Sequence, residues 1–238
     1  MSLFDRILAA ADVKRVMVSP DDALAGRPTP MPVRDEHRVL GYRLRGDSDA
    51  AGEYPPAGIG AWDDGLRAVI FAGGCFWGFE EIFWQVPGVY TTAVGYAGGY
   101  TPNPTYEEVC TARTGHAEAV LVVYDPATVS FAELLEIFYT SHDPTQEMRQ
   151  GNDIGTQYRS AVFTFDEAEA DRAADAARAF EPVLAEAGYG PVTSQISLMS
   201  QAGDGVFYYA EDYHQQYLFT NPNGYRCHAP TGLKFPAV

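Results

Sequence analysis

Arg67-Ala68-Val69-Ile70-Phe71-Ala72-Gly73-Gly74-Cys75-Phe76-Trp77-Gly78-Phe79-Glu80-Glu81-Ile82-Phe83-Trp84 is the stretch on which the fold turns. Residues 68–72 are a short unbroken apolar run, the pattern of a buried strand. Gly73-Gly74 ends it. Cys75, Phe79, Ile82, Phe83 and Val86 then recur at helical spacing, until Pro87-Gly88 stops the helix.

Working outward, residues 89–97 read as a strand and residues 98–104 as a long turn. Residues 106–110 suit one helical turn, and residues 118–124 are an apolar, β-branched strand. Ser130 with Glu133 makes a capping box that opens a helix with Phe131, Leu134, Leu135 and Phe138 as its apolar stripe. Residues 142–157 read as a polar loop and 158–165 as an alternating strand. Residues 166–187 form a long helix with Ala173, Ala176, Ala177, Phe180 and Leu184 inward. Its acids Asp166, Glu167, Glu169, Asp171 and Asp175 sit where the helix dipole favours them, as a solvated face. A strand at 192–198 and a short helix at 211–219 follow.

The central order is strand, helix, strand, strand, helix, strand. It predicts an α+β fold with a ferredoxin-like split βαβ core, added helices and N- and C-terminal extensions. Residues 1–66, rich in Pro, Gly, Asp and Ala, read as an N-terminal extension packed on the domain surface. Residues 67–238 read as the catalytic domain, with 220–238 a mobile tail.

Composition narrows the function. The 238 residues are 46% hydrophobic, enough for a real core, and carry a net charge of −16. Such a balance argues against nucleic acid or anionic lipid as partners. No apolar run is long enough to span a membrane, and the start of the chain lacks an export pattern. Three cysteines, Cys75, Cys110 and Cys227, do not suit a secreted disulfide framework, so a cytoplasmic setting is expected.

Cys75 follows a strand and a glycine turn and starts a helix, where the dipole favours a thiolate. Phe76 and Trp77 place aromatics beside it. Local context leaves a nucleophile and a buried core thiol equally open. Cys227, in Gly224-Tyr225-Arg226-Cys227-His228, is either a cysteine that swings onto a sulfenic acid or an incidental surface thiol. Cys110 reads as a small core hydrophobe. Glu118 shares a strand face with Val120 and Val122, and is either a partly buried general acid or a strand-end carboxylate reaching solvent. Asp153, Tyr158 and Tyr106 offer hydrogen bonds but are individually ordinary. Glu211-Asp212-Tyr213-His214 reads as a helix surface rather than a metal site. A papain-type cysteine pattern, a nucleophile elbow, zinc pairs and a P-loop are all missing.

Gly74-Cys75-Phe76-Trp77-Gly78 resembles the peptide methionine sulfoxide reductase A family. Five further segments look like the family's in the family's order: residues 95–99, 103–106, 115–118, 151–160 and 214–217. The likeness covers roughly residues 67–232, and residues 18–33 look like the N-terminal stretch of longer bacterial members. The resemblance implies reduction of methionine-S-sulfoxide, free or protein-bound, in repair of oxidised proteins. It implies Cys75 as nucleophile, Glu118 as the acid for the sulfoxide oxygen, and Tyr106, Tyr158 and Asp153 as hydrogen-bonding groups. Phe76 and Trp77 become the wall for the substrate methyl. No bound cofactor or metal is expected, and thioredoxin or another dithiol is the external reductant. The sequence departs from many members in one place. They carry a cysteine directly after Gly-Tyr, where this chain has Arg226, so a direct Cys75–Cys227 disulfide is expected.

Overall fold

The computed structural model describes residues 13–47, 62–63, 65–227 and 229–236. Its core elements are β1 (Arg67–Gly73), α1 (Phe76–Trp84), β2 (Val89–Ala97), α2 (Tyr106–Cys110), β3 (Ala117–Tyr124) and α3 (Phe131–Ser141). After these come β4 (Arg149–Gln150), β5 (Asp153–Ile154), β6 (Ser160–Thr164), α4 (Glu167–Glu186), β7 (Gln195–Leu198), β8 (Tyr208–Tyr209) and α5 (Tyr217–Thr220).

Six strands form one sheet in the order β7-β6-β1-β3-β2-β8. The inner four, β6-β1-β3-β2, are antiparallel throughout and are the split βαβ core expected from the sequence. β7 joins β6 in parallel at one edge, and β8 joins β2 at the other. Strand alternation sends Val69, Phe71, Val120, Val122, Val94 and Tyr96 to one face, where they meet Phe79 and Phe83 of α1, Leu134 and Phe138 of α3, and Phe180 and Leu184 of α4. Ile70, Ala72, Leu121, Val123, Ala161 and Phe163 point to the other face. Irregular chain covers that side through Leu44, Met199, Ala202 and Phe207.

Both anticipated α3 cap bonds form: the Ser130 hydroxyl accepts from the Glu133 amide, and the Glu133 carboxylate accepts from the Ser130 amide. Thr105 and Glu108 cap α2 in the same way. The expected 211–219 helix reduces to α5. Turns occupy residues 212–216, and Gln216 takes a left-handed backbone, φ +50°, which breaks the helix before Tyr217. The 142–157 loop contains the small β4–β5 hairpin, whose two-residue strands are too short to leave a periodic pattern. Tyr158 ends a 3₁₀ turn instead of starting β6. On α4, Glu167, Asp171 and Asp175 are exposed as expected, but Glu169 is buried. It bonds to Arg67 at 3.0 Å and to the Tyr124 hydroxyl at 3.1 Å.

The N-terminal segment makes specific contacts with the core. Leu24 and Arg27 hydrogen-bond to the backbone of Arg113 and Pro102, Arg34 pairs with Asp212, and His37 meets Thr92 at 2.9 Å. Near the C-terminus, Phe235 packs against Tyr139 and Phe180. No helix among the described residues is long and apolar enough to cross a membrane.

Candidate active site

The turn from β1 into α1 places Cys75 at the helix N-cap. It depends on both glycines. Gly74 has φ +100°, a region that L side chains rarely enter. At Gly73 a Cβ would come within 2.4 Å of the Phe79 ring. The Trp77 amide favours an anionic Cys75 sulfur, as the helix-dipole argument anticipates. Burial, and the charge that Glu118 carries once it ionises, nevertheless outweigh that amide. Cys75 is only 8% exposed, and its thiol is pushed well above the usual range. The expectation of a depressed thiol is therefore reversed in the resting state: Cys75 is a buried thiol.

Glu118 is the second residue of β3, opposite Tyr96 of β2. It does not reach solvent: it is 1% exposed. Its Oε2 accepts a hydrogen bond from the Phe76 amide at 3.1 Å, and its Oε1 has no partner among the described residues. Burial, with a smaller push from Asp153, raises this carboxyl to about 8 against the single stabilising amide. At neutral pH it holds its proton. Because Oε2 is the acceptor, that proton belongs on the unpartnered Oε1.

Tyr106 opens α2 and Tyr158 ends the turn before β6; both are half-buried. Burial first, then the Glu118 charge, pushes both phenols above their usual range, so both remain O–H donors. Asp153, on the β4–β5 hairpin, acts electrostatically on Cys75, Glu118, Tyr158 and Cys227, and accepts a hydrogen bond from the Tyr225 hydroxyl at 3.1 Å. Phe76 is buried, with its ring 6.5 Å from that of Tyr106. Trp77 stacks on Tyr217 at 4.0 Å. The Cys227 thiol donates to the Gln150 carbonyl at 3.4 Å, and the Cys75 amide favours its anionic form. Burial and Asp153 still push that thiol up to about 11. All eight residues singled out from the sequence thus fall in one neighbourhood.

A neutral, buried carboxylic acid beside a thiol, with two phenol donors and an aromatic wall, suits protonation of an oxygen whose bonded atom faces sulfur. The family model described as peptide methionine sulfoxide reductase matches residues 67–236. The chain belongs to the peptide methionine sulfoxide reductase family. It is 51% identical to the peptide methionine sulfoxide reductase MsrA of Salinispora arenicola over 226 residues, covering 94% of each chain. It is 53% identical to the Brucella anthropi MsrA over 223 residues, again covering 94% of each. Among solved structures, methionine sulfoxide reductase A of Corynebacterium diphtheriae matches with a TM-score of 0.78 and 43% identity, covering 93% of this chain and all of that one.

The same neighbourhood also includes residues that sequence reasoning placed elsewhere. His214 and Glu211 are buried, not on a helix surface. The His214 Nδ1 accepts from the Trp77 indole at 2.9 Å, and its ring lies 4.6 Å from Tyr106 and 5.2 Å from Phe76. Burial lowers this imidazole to about 4, so it is neutral and completes the aromatic wall. The Glu211 carboxylate takes the Tyr96 hydroxyl at 2.9 Å and the Tyr106 amide at 2.8 Å, fixing the start of α2. The aromatic spacing of 213, 214 and 217 was the available signal. It was hidden because turns, not a helix, bring those rings together.

Cys110 is half-buried against the Tyr106 hydroxyl, rather than a plain core residue. Two other histidines serve the scaffold. His116 binds the Gly99 amide and the Thr101 carbonyl, and His142 binds the Phe138 carbonyl and the Ser160 hydroxyl. Neither pairs with Cys75, and His228 lies outside the described residues. Among the described residues no group of three or more His, Cys, Asp or Glu side chains could hold a metal.

Proposed function

We propose that this chain reduces methionine-S-sulfoxide to methionine with Cys75 as nucleophile and Glu118 as proton donor. The observation that carries this reading is the Glu118 carboxyl, buried, protonated at neutral pH and bonded to the first amide after Cys75. Its Oε1, buried and without a partner among the described residues, is the atom left to donate to the sulfoxide oxygen. Tyr106 and Tyr158 donate further hydrogen bonds to that oxygen, and Asp153 orders the polar side. Phe76, Trp77 and His214 receive the methyl group. Methyl and oxygen cannot exchange places in such a pocket, so one sulfoxide epimer is accepted.

The Cys75 sulfur attacks the sulfoxide sulfur as the Glu118 proton passes to oxygen, and the thiol proton returns to Glu118. Neutral Glu118 removes the charge that opposes an anionic sulfur, while the Trp77 amide supports it. In sum, Cys75–SH and the sulfoxide become Cys75–SOH and the thioether. The Cys227 thiol then condenses with the sulfenic acid, forming a Cys75–Cys227 disulfide and releasing water. Thioredoxin or another dithiol reduces that disulfide by exchange, becoming oxidised itself. No bound cofactor is required. The substrates are free methionine sulfoxide and oxidised proteins, and reduced dithiol places the work in the cytoplasm.

One turnover without reductant tests the scheme. Peptide mapping of wild type should find the peptides of Cys75 and Cys227 joined, with one methionine released per chain. The Cys227→Ser variant should release the same methionine yet fail to cycle with thioredoxin. Full thioredoxin-dependent cycling of that variant would remove Cys227 from the scheme.

A further inference from the structure

Arg226, directly before Cys227, spends its guanidinium on fastening the chain. Its Nε donates to Glu81 Oε2 at 2.6 Å and its Nη2 to Glu81 Oε1 at 2.7 Å, a two-pronged pair. Its Nη1 donates to the carbonyls of Pro222 at 2.8 Å and Gly224 at 3.3 Å. Both side chains of the pair are about three-quarters buried, with 26% and 22% exposure. Glu81 lies on α1, the helix that Cys75 caps, and Gly78 one turn earlier faces Arg226. A Cβ at Gly78 would lie 3.6 Å from the Arg226 Cβ. The residue before it, Tyr225, is tied to Asp153 of the hairpin. The two residues before the resolving sulfur are thus pinned to two different elements, the hairpin and α1. A cavity of about 250 Å³ between Cys75, Glu81, Arg226 and Cys227 leaves that sulfur room to approach.

We propose that the Arg226–Glu81 pair is a positioning device for the second chemical step, holding Cys227 over Cys75 so that the sulfenic acid is captured within the chain. The proposal rests on Cys227 being the resolving thiol. The condensation joins Cys75–SOH to Cys227–SH and releases water, so the pair changes its rate and not its balance. Arg226 does not act by activating its neighbour. Its charge is neutralised by Glu81, and the Cys227 thiol stays high, at about 11. With so little thiolate at neutral pH, proximity has to supply the rate.

The test is a rapid-quench single turnover that follows methionine release and disulfide formation separately, with a carbon-acid reagent trapping the sulfenic acid. In Arg226→Ala and Glu81→Gln, methionine release should keep the wild-type rate. Disulfide formation should slow about tenfold or more, with trapped sulfenic acid rising to match. Arg226→Lys keeps the charge but loses the fork, and should slow nearly as much. The double variant should be no slower than either single one, because the residues act as a unit.

Wild-type disulfide formation in both Arg226→Ala and Glu81→Gln would overturn the proposal, as would equal slowing of methionine release. A fully active Arg226→Lys would replace positioning by charge and overturn it too. Cys227→Ser serves as the control: disulfide formation at the wild-type rate in that variant would refute the resolving role itself, separately from the pair.

Discussion

Glu118 Oε2 sits 3.1 Å from the backbone nitrogen of Phe76, so the candidate acid is fastened to the first turn of the helix that Cys75 caps. One amide cannot repay the loss of water around a wholly buried carboxylate, and the carboxyl stays protonated up to about 8. Acid and nucleophile are thereby held in one frame, and neither can shift without the β1–α1 turn.

Replacing that acid should be costly for the reaction. Glu118→Gln keeps the shape and the hydrogen bond from Phe76 but has no proton to give. Methionine release should fall roughly 10²-fold or more, as for loss of a general acid. Infrared difference spectra against this variant should show a protonated carboxyl band in wild type that disappears as pH rises through about 8.

The same substitution should stabilise the fold in alkali. Below pH 4.5 the folded and unfolded chains both hold the Glu118 proton. Between 4.5 and about 8 the folded state holds it more tightly, so stability falls as pH rises, and the contribution is gone above about 8. The Tm advantage of Glu118→Gln should therefore widen from about pH 5 to about pH 9, by the equivalent of a few kcal/mol at most. Thermal melts across that range check the sign. A gap that narrows with pH would contradict the buried-acid assignment.

The proposed methyl wall depends on Trp77, held between Tyr217 and His214. Trp77→Ala should raise KM about tenfold or more, the scale of an apolar pocket contact. Trp77→Phe keeps a ring but leaves His214 Nδ1 without its indole donor, and should have a smaller effect. Steady-state kinetics on free and peptide-bound sulfoxide would separate the two.

Legibility followed the range of the cause. β1 was readable because residues 68–72 form a continuous apolar run, and α3 because Ser130 and Glu133 lie three residues apart and cap each other. Both signals are local. The split βαβ order followed from the element order, since short connections leave few topologies. Glu118 was readable as a face partner of Val120 and Val122, but its depth was not, because Tyr96 and Phe76 close over it from other elements.

The Cys75 thiol illustrates the limit. The dipole argument has the right direction, and the Trp77 amide contributes, but burial and Glu118 are three-dimensional effects and prevail. Glu211 and His214 were misplaced for a similar reason. Gln216 takes a left-handed turn whose side chain and amide are bound by the buried Glu80, and the helix pattern fails there. Nothing within residues 211–219 announces that distant partner.

The most direct measurement is methionine release from separate S- and R-sulfoxide substrates with dithiothreitol, for wild type and Cys75→Ser. The account predicts turnover of the S form alone and its loss in Cys75→Ser. Turnover of the R form, of neither form, or of the S form by Cys75→Ser would contradict it.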